Sequence, residues 1–350
     1  MSGTIAVNQP VGITWELTYH CGLLCVMCPF TQLSDTYRVK PQYLDREQSI
    51  KVAQDILNFP GKTRVTLTGG EALFGQHFSI VYEMLAGAQR INLLTSAIRI
   101  TDEQFDLLEK YPPQSITISL DGPEAVHDQV RAHKFAFRKT TANIARLRKQ
   151  SPPDTRFLIN CTINSLNIAH LTELYEWCEN EGLPLQLQHL WFLDKQMQID
   201  SFDEVERDFP VLNKHQFSTS QVDPALLDTL REQLAALSGK VETMPRVPDE
   251  RIVEYYTQPT YFANRGCNKV DNSVRIDPYG NVTPCLGVPF GNLKERSLAD
   301  VYFSAMRKAF LDQVHNRLYT VCSRCCKNST VDAGVTPRPQ AAEMFNARSV

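Results

Sequence analysis

The sequence predicts an α/β protein, an open, partial (β/α)6 barrel followed by a small hairpin-plus-helix unit. Three observations predict it. Strand-like and helix-like segments alternate through residues 12–193. Three cysteines, Cys21, Cys25 and Cys28, directly follow the first strand-like segment. A second group of cysteines surrounds a turn-bearing hairpin and follows a helix in the last quarter of the chain.

Each element has its own signal. Residues 12–18 (GITWELT) read as a strand. Residues 45–58 place Ile50, Val52, Ile56 and Leu57 on one side of a helix. The run 64–68 (RVTLT) is rich in β-branched residues and stops at Gly69-Gly70. Residues 78–88 are helical, 91–95 (INLLT) a strand, and 101–110 a helix with Thr101 as its N-cap. The strand 114–120 ends at Asp121-Gly122-Pro123, and a helix follows at 137–149. Residues 157–163 form a strand and 168–181 a helix closed by Gly182. Residues 185–192 complete the series. Repeated strand–helix units imply a parallel sheet with right-handed crossovers. Six units are fewer than the eight of a closed barrel, and ligands of such sheets gather at the C-terminal strand ends.

Beyond residue 193 the pattern breaks. Residues 194–260 are polar, with one clear helix at 224–237, and read as a bridge. Residues 261–330 hold a hairpin at 273–284, turned at Asp277-Pro278-Tyr279-Gly280-Asn281, and a helix at 297–314. Residues 331–350 read as a tail.

The chain has 350 residues, which at roughly 150 per domain suggests two domains or one with an appendage. Its 43% hydrophobic and 21% charged content fits a globular protein. The net charge of −3 argues against broad phosphate neutralisation, so a nucleic-acid partner is not expected. No apolar run approaches a membrane span, and no secretory segment opens the chain. A cytoplasmic location follows, where ten cysteines point to metal rather than to disulfides.

Cys21-x3-Cys25-x2-Cys28 offers three thiolates, whereas a four-iron cluster normally takes four cysteines. An iron left open is the mark of a catalytic site. This loop, directly after the first strand, resembles that of the radical S-adenosylmethionine (SAM) superfamily. Gly69-Gly70-Glu71 after the second strand resembles that family's GGE motif. The resemblance covers roughly residues 12–193. It implies that the methionine amino and carboxylate groups of SAM chelate the fourth iron. One electron then breaks the sulfonium C–S bond, and the 5′-deoxyadenosyl radical takes a hydrogen atom from substrate. Gly69, Gly70 and Glu71 are the implied SAM-binding residues, Glu71 accepting from the ammonium. Ser119 and Asp121, at the end of strand four, are implied near the ribose or carboxylate. Thr95-Ser96, Arg131 and Asn164 are further candidates. Met27 stands where the family commonly has an aromatic residue.

Cys267 and Cys285 flank the hairpin, and Cys322-x2-Cys325 follows the helix. Four such thiolates can close around a four-iron cluster or a zinc ion. The arrangement resembles the SPASM/twitch extension of radical SAM enzymes, which implies one auxiliary [4Fe-4S] cluster held by Cys267, Cys285, Cys322 and Cys325. Cys326 is left as a spare thiol, a substitute ligand or a catalytic hydrogen-atom donor. His189 and Gln188 are adjacent on the last strand, so at most one faces the barrel mouth.

The expected activity is therefore reductive SAM cleavage and hydrogen abstraction from a biosynthetic substrate. That substrate is a peptide or a small polar molecule such as an aminocyclitol or sugar. Oxidation, cross-linking and epimerisation all remain open. A flavodoxin or ferredoxin is the expected electron donor. Only 20 residues precede Cys21, so any leader-peptide reader is expected to be a separate protein. A zinc- or cluster-binding regulatory protein without radical chemistry is the alternative.

Overall fold

A computed structural model describes residues 11–29, 43–190, 195–212, 222–258, 261, 265–285, 287–320, 322, 325 and 330–332. The six expected strands form as β1 (Val11–Glu16), β2 (Thr63–Thr68), β3 (Arg90–Thr95), β4 (Ser115–Ser119), β5 (Arg156–Thr162) and β6 (Leu185–Gln188). All are parallel to their neighbours, in sequence order.

The helices between them are α1 (Arg46–Leu57), α2 (Phe78–Ala86), α3 (Asp102–Lys110), α4 (Glu124–Arg131), α5 (Ala136–Gln150) and α6 (Leu171–Asn180). Asp45 caps α1 and Thr101 caps α3, each in a reciprocal capping box with a glutamine. Helix α4 was not expected. Pro123 both ends the preceding turn and opens this helix as its N-cap, and eight residues are too few to show a clear period.

Downstream come α7 (Lys195–Glu206), α8 (Leu227–Ala236), β7 (Glu242–Met244), α9 (Ile252–Thr257), β8 (Arg265–Cys267), β9 (Ser273–Ile276), β10 (Asn281–Thr283), β11 (Gly291–Asn292), α10 (Leu298–Tyr302), α11 (Ala305–Asn316) and β12 (Thr330–Asp332). The expected single helix at 297–314 is two. Ser304 interrupts it and caps the second by accepting from the Arg307 N–H. The segment read as a bridge carries α7, β7 and α9 besides the expected helix. Three-residue β7 is too short to show alternation in a polar stretch.

The sheet extends at both edges. β7 runs parallel to β6, and β9 runs parallel to β1 with Ser273 opposite Gly12 and Ile276 opposite Trp15. The hairpin β9–β10 is therefore part of the barrel sheet. Strand order is β11-β10-β9-β1-β2-β3-β4-β5-β6-β7, with β11 and β7 at the edges among the described residues.

One sheet face supplies the core: Ile13, Trp15, Val65, Leu67, Leu93, Ile116, Ile118, Ile159 and Leu187 are almost fully buried. Each contributes on the order of 1.5–3 kcal/mol. The alternate residues face the other side, as period-two geometry requires. There stand Thr14, Thr66, Asn92, Thr117, Ser119, Asn160, Gln186 and Gln188, all half-buried. A polar inner face is unlike the packed, branched-apolar interior of a closed barrel.

Candidate active site

Leu17 prolongs the pairing of β1 with β2 by donating to Thr68 O (2.9 Å). The chain then turns through Thr18, Tyr19 and His20 into the cysteines. The Gly69-Gly70-Glu71 turn lies against this segment. Gly70 N donates to Thr18 O (2.7 Å) and Glu71 N to His20 O (3.0 Å). A Cβ on Gly69 would stand 2.2 Å from Thr18 O, and one on Gly70 2.5 Å from His20 O. Gly69 also has φ +140°. The glycines thus seat the cysteine loop itself.

Cys25 is buried, and Cys21 and Cys28 are half-buried. Cys28 N donates to Cys25 O (3.1 Å), and Val26 N donates to Val130 O in α4 (3.0 Å). Burial pushes the Cys21 thiol up to about 12, with Glu71, Cys25 and Cys28 close enough to add to the rise. Three thiols crowded on one loop and short of solvation suit a cation that takes their protons, as iron does. Met27 is 7% exposed and belongs to the hydrophobic core.

Glu71 is buried, and its carboxylate has four donors. Oε1 accepts from Thr95 Oγ1 (2.8 Å) and the Leu73 N–H (3.4 Å). Oε2 accepts from the Ser96 N–H (2.9 Å) and Ser96 Oγ (2.7 Å). Since a carboxylate has about four acceptor sites, Glu71 braces the end of β2 against the end of β3. A SAM ammonium would have to share or displace one of these donors, and the rotatable Ser96 hydroxyl is the one able to yield.

Ser119 lies half-buried on the inner face, opposite Asn160 in β5. Asp121 is fully buried. Its Oδ2 pairs with Arg131 Nη2 (2.6 Å), and its Oδ1 accepts from the Thr162 N–H (2.9 Å). Burial pushes the Asp121 carboxyl up, against the pull of Arg131 and the Thr162 N–H. Arg131 also points Nη1 at Cys25 Sγ (3.6 Å). His127 Nδ1 accepts from the Asp121 N–H (3.0 Å), and burial, then Arg131, lowers this histidine to about 3, so it is neutral. Asn164 donates to Thr162 O (2.9 Å). Sequence reasoning passed over Asn167, whose amide donates to Asp121 O (3.0 Å) and Thr162 O (2.9 Å). Its only signal was the turn-forming Asn164-Ser165-Leu166-Asn167 after β5. His189 is buried, with Nδ1 2.8 Å from Tyr256 Oη.

The second cysteine group is also assembled. Cys267 ends β8, Cys285 stands two residues past β10, and Cys322 and Cys325 follow α11 in a turn (Cys325 N to Cys322 O, 3.2 Å). Burial drives the Cys322 thiol well up, and the nearby Cys285 and Cys267 thiols add to it. The Cys267 and Cys285 thiols are thus near enough to act on the charge of Cys322. Around them, His315 Nε2 meets Asp271 Oδ1 (2.5 Å), and Tyr319 Oη donates to Asp208 (2.8 Å). Among the described residues, no group of three or more His, Cys, Asp or Glu is set to hold a single metal ion. Thiolates bound to separate irons of one cluster do not need single-ion spacing. Cys326 lies outside the described residues.

Comparison with known proteins gives the same picture. Residues 15–178 match the radical SAM superfamily, and residues 267–326 match an iron–sulfur cluster-binding domain, SPASM. The sporulation killing factor maturation protein SkfB of Bacillus subtilis is 25% identical over 304 residues, covering 86% of this chain and 67% of that protein. An AdoMet-dependent heme synthase of Methanosarcina barkeri is 26% identical over 302 residues, covering 85% and 83%. In fold, the chain resembles anSMEcpe solved with AdoMet and a Cp18Cys peptide, with TM-score 0.60, 15% identity, and 91% and 88% of the two chains covered. Among the described residues, no helix is long and apolar enough to cross a membrane.

Proposed function

This chain belongs to the radical SAM superfamily and carries a C-terminal SPASM-type iron–sulfur domain, and on that premise we propose that it modifies a peptide by hydrogen-atom abstraction. SAM, a SAM-binding [4Fe-4S] cluster and an auxiliary cluster are its cofactors. When bound, they supply a 5′-deoxyadenosyl radical, made by one-electron cleavage of SAM, and a second site able to take an electron back.

The residues divide the remaining work. Cys21, Cys25 and Cys28 hold three irons and leave one for SAM. Gly69 and Gly70 keep their loop against the β2 end, and Glu71, braced by Thr95 and Ser96, would accept from the methionine ammonium in place of one of these donors. Ser119, Asn160, Gln186 and Gln188 line the inner face with neutral donors and acceptors that suit peptide amides. Asp121 acts through Arg131. Cys267, Cys285, Cys322 and Cys325 hold the auxiliary cluster. The observation that carries this reading is the joining of the cysteine loop to the Gly69–Glu71 turn by the Gly70–Thr18 and Glu71–His20 hydrogen bonds.

A peptide substrate is supported by the maturation role in the name of the Bacillus subtilis relative and by the peptide bound to anSMEcpe. The heme synthase relative supports the other reading, a small molecule. A flavodoxin or ferredoxin supplies the electron.

The test is anaerobic turnover with the short peptides encoded beside the gene, against free aminocyclitols and sugars. A peptide product lighter by two hydrogens supports oxidation or cross-linking. A peptide product of unchanged mass in ordinary water that gains one deuterium in deuterated water, a gain lost in Cys326→Ala, makes the enzyme an epimerase with Cys326 as donor. Turnover of small molecules alone overturns the peptide reading.

A further inference from the structure

Arg131 and Asp121 form a buried pair that SAM binding and substrate binding leave unexplained. Arg131 is 8% exposed and Asp121 fully buried, and their ion pair is 2.6 Å long. Buried pairs of this kind contribute little net stability and are often replaceable by apolar residues. The location of this pair is specific. Arg131 closes α4, the helix whose Val130 carbonyl accepts from Val26 inside the cysteine loop. From there Arg131 Nη1 points at Cys25 Sγ, 3.6 Å away. On the far side, Asp121 is fixed by the Thr162 N–H on Oδ1, and its own N–H is held by His127. The guanidinium cannot swing away without stranding a buried carboxylate. Arg131 Nε, also buried, has no partner among the described residues, so its remaining contacts do not explain its placement.

We propose that Arg131, oriented by Asp121, is a positioning residue that donates to the Cys25 thiolate and raises the reduction potential of the SAM-binding cluster. The inference rests on Cys25 being a cluster ligand. Reduction adds one electron, and hence one negative charge, to the cluster and its thiolates. A fixed cation with an N–H aimed at one sulfur favours that reduced state, and hydrogen bonds to sulfur and local charge are among the levers on such potentials. The opposing charge of Asp121 moderates the effect, so the two side chains act with opposite sign. This matters for a reaction that begins only when the cluster accepts an electron.

The experiment is a redox titration of the reconstituted full chain followed by electron paramagnetic resonance, with the relevant signal identified by its change on adding SAM. Iron content and SAM affinity are measured alongside. Arg131→Gln is expected to make reduction about tenfold less favourable, a fall of about 59 mV for one electron. Asp121→Asn should shift the potential upward, and Arg131→Lys, which keeps the charge, should stay near wild type. If Arg131→Gln loses iron or fails to fold, the opposite shift in Asp121→Asn and the restoration by Arg131→Lys carry the test. An unchanged potential at full iron content overturns the proposal. So do shifts of the same sign in Arg131→Gln and Asp121→Asn, which would mean a loosened loop. A change in SAM affinity alone would assign Arg131 to SAM instead. A wild-type protein without any SAM-responsive signal would remove the cluster reading itself, a failure seen before any variant is made.

Discussion

Replacing Gly70 by alanine adds one methyl group where there is no room for it. The new Cβ would lie 2.5 Å from His20 O and 2.6 Å from Tyr19 O, both backbone atoms that cannot rotate aside. Relief requires separating the Gly69–Glu71 turn from the cysteine loop, which strains the hydrogen bonds Gly70 N to Thr18 O and Glu71 N to His20 O. Overpacking costs about 1–3 kcal/mol, and each weakened hydrogen bond about 0.5–1.5 kcal/mol. Together that is about 2–6 kcal/mol if the loop stays in place, and a smaller loss of stability but more lost iron if it moves. Gly87 is the control. It ends α2 at φ −76°, and a Cβ there meets nothing within 4 Å. Gly87→Ala should be neutral or stabilise by about 0.4–1 kcal/mol. The assay is thermal unfolding together with iron per chain after anaerobic reconstitution. Gly70→Ala should melt several degrees lower, bind less iron, or both. A Gly70→Ala protein matching Gly87→Ala in both readouts would refute the argument that these glycines seat the cysteine loop.

Glu71→Ala removes the acceptor of Thr95 Oγ1 and of both Ser96 donors, so it should cost about 1–3 kcal/mol and weaken SAM binding while iron content holds. Calorimetric titration with SAM checks this, and an unchanged affinity would leave Glu71 as a brace only. His189, lowered to about 3 by burial from 6.5, is neutral when folded and takes a proton when unfolded. Its contribution to stability therefore falls as pH drops from 6.5 toward 3, by at most about 1.4 kcal/mol per pH unit. Denaturant unfolding across that range should show a shallower slope for His189→Gln than for wild type, and equal slopes would contradict the assignment.

The barrel strands were legible because each carries several apolar or β-branched residues in a row, bounded by Gly, Pro or Asp. The Thr101 cap was legible as a local hydrogen-bonding pattern. The β1–β9 pairing was not, because it joins segments some 260 residues apart, as Gly12 opposite Ser273 shows. The local signal at 273–284 announced a hairpin and nothing about its neighbour. The cysteine spacing identified both groups of thiols. The partners of Glu71 and Asp121 were hidden for a tertiary reason. Ser96 reaches Glu71 because β2 and β3 end side by side, and Arg131 reaches Asp121 only through α4, the helix that the Asp-Gly-Pro turn concealed. The motif gave Glu71 and Asp121 a ligand role, and the fold adds bracing bonds to each of them.

The most direct test of the central claim is 5′-deoxyadenosine formation by the chain with Cys21, Cys25 and Cys28 all replaced by alanine, given dithionite and SAM, with iron measured on the same sample. The account predicts that reconstituted wild type holds about eight irons and cleaves SAM, while the triple variant keeps about four, at the auxiliary site, and makes no 5′-deoxyadenosine. A triple variant that still cleaves SAM, or that retains the full wild-type iron, would contradict it.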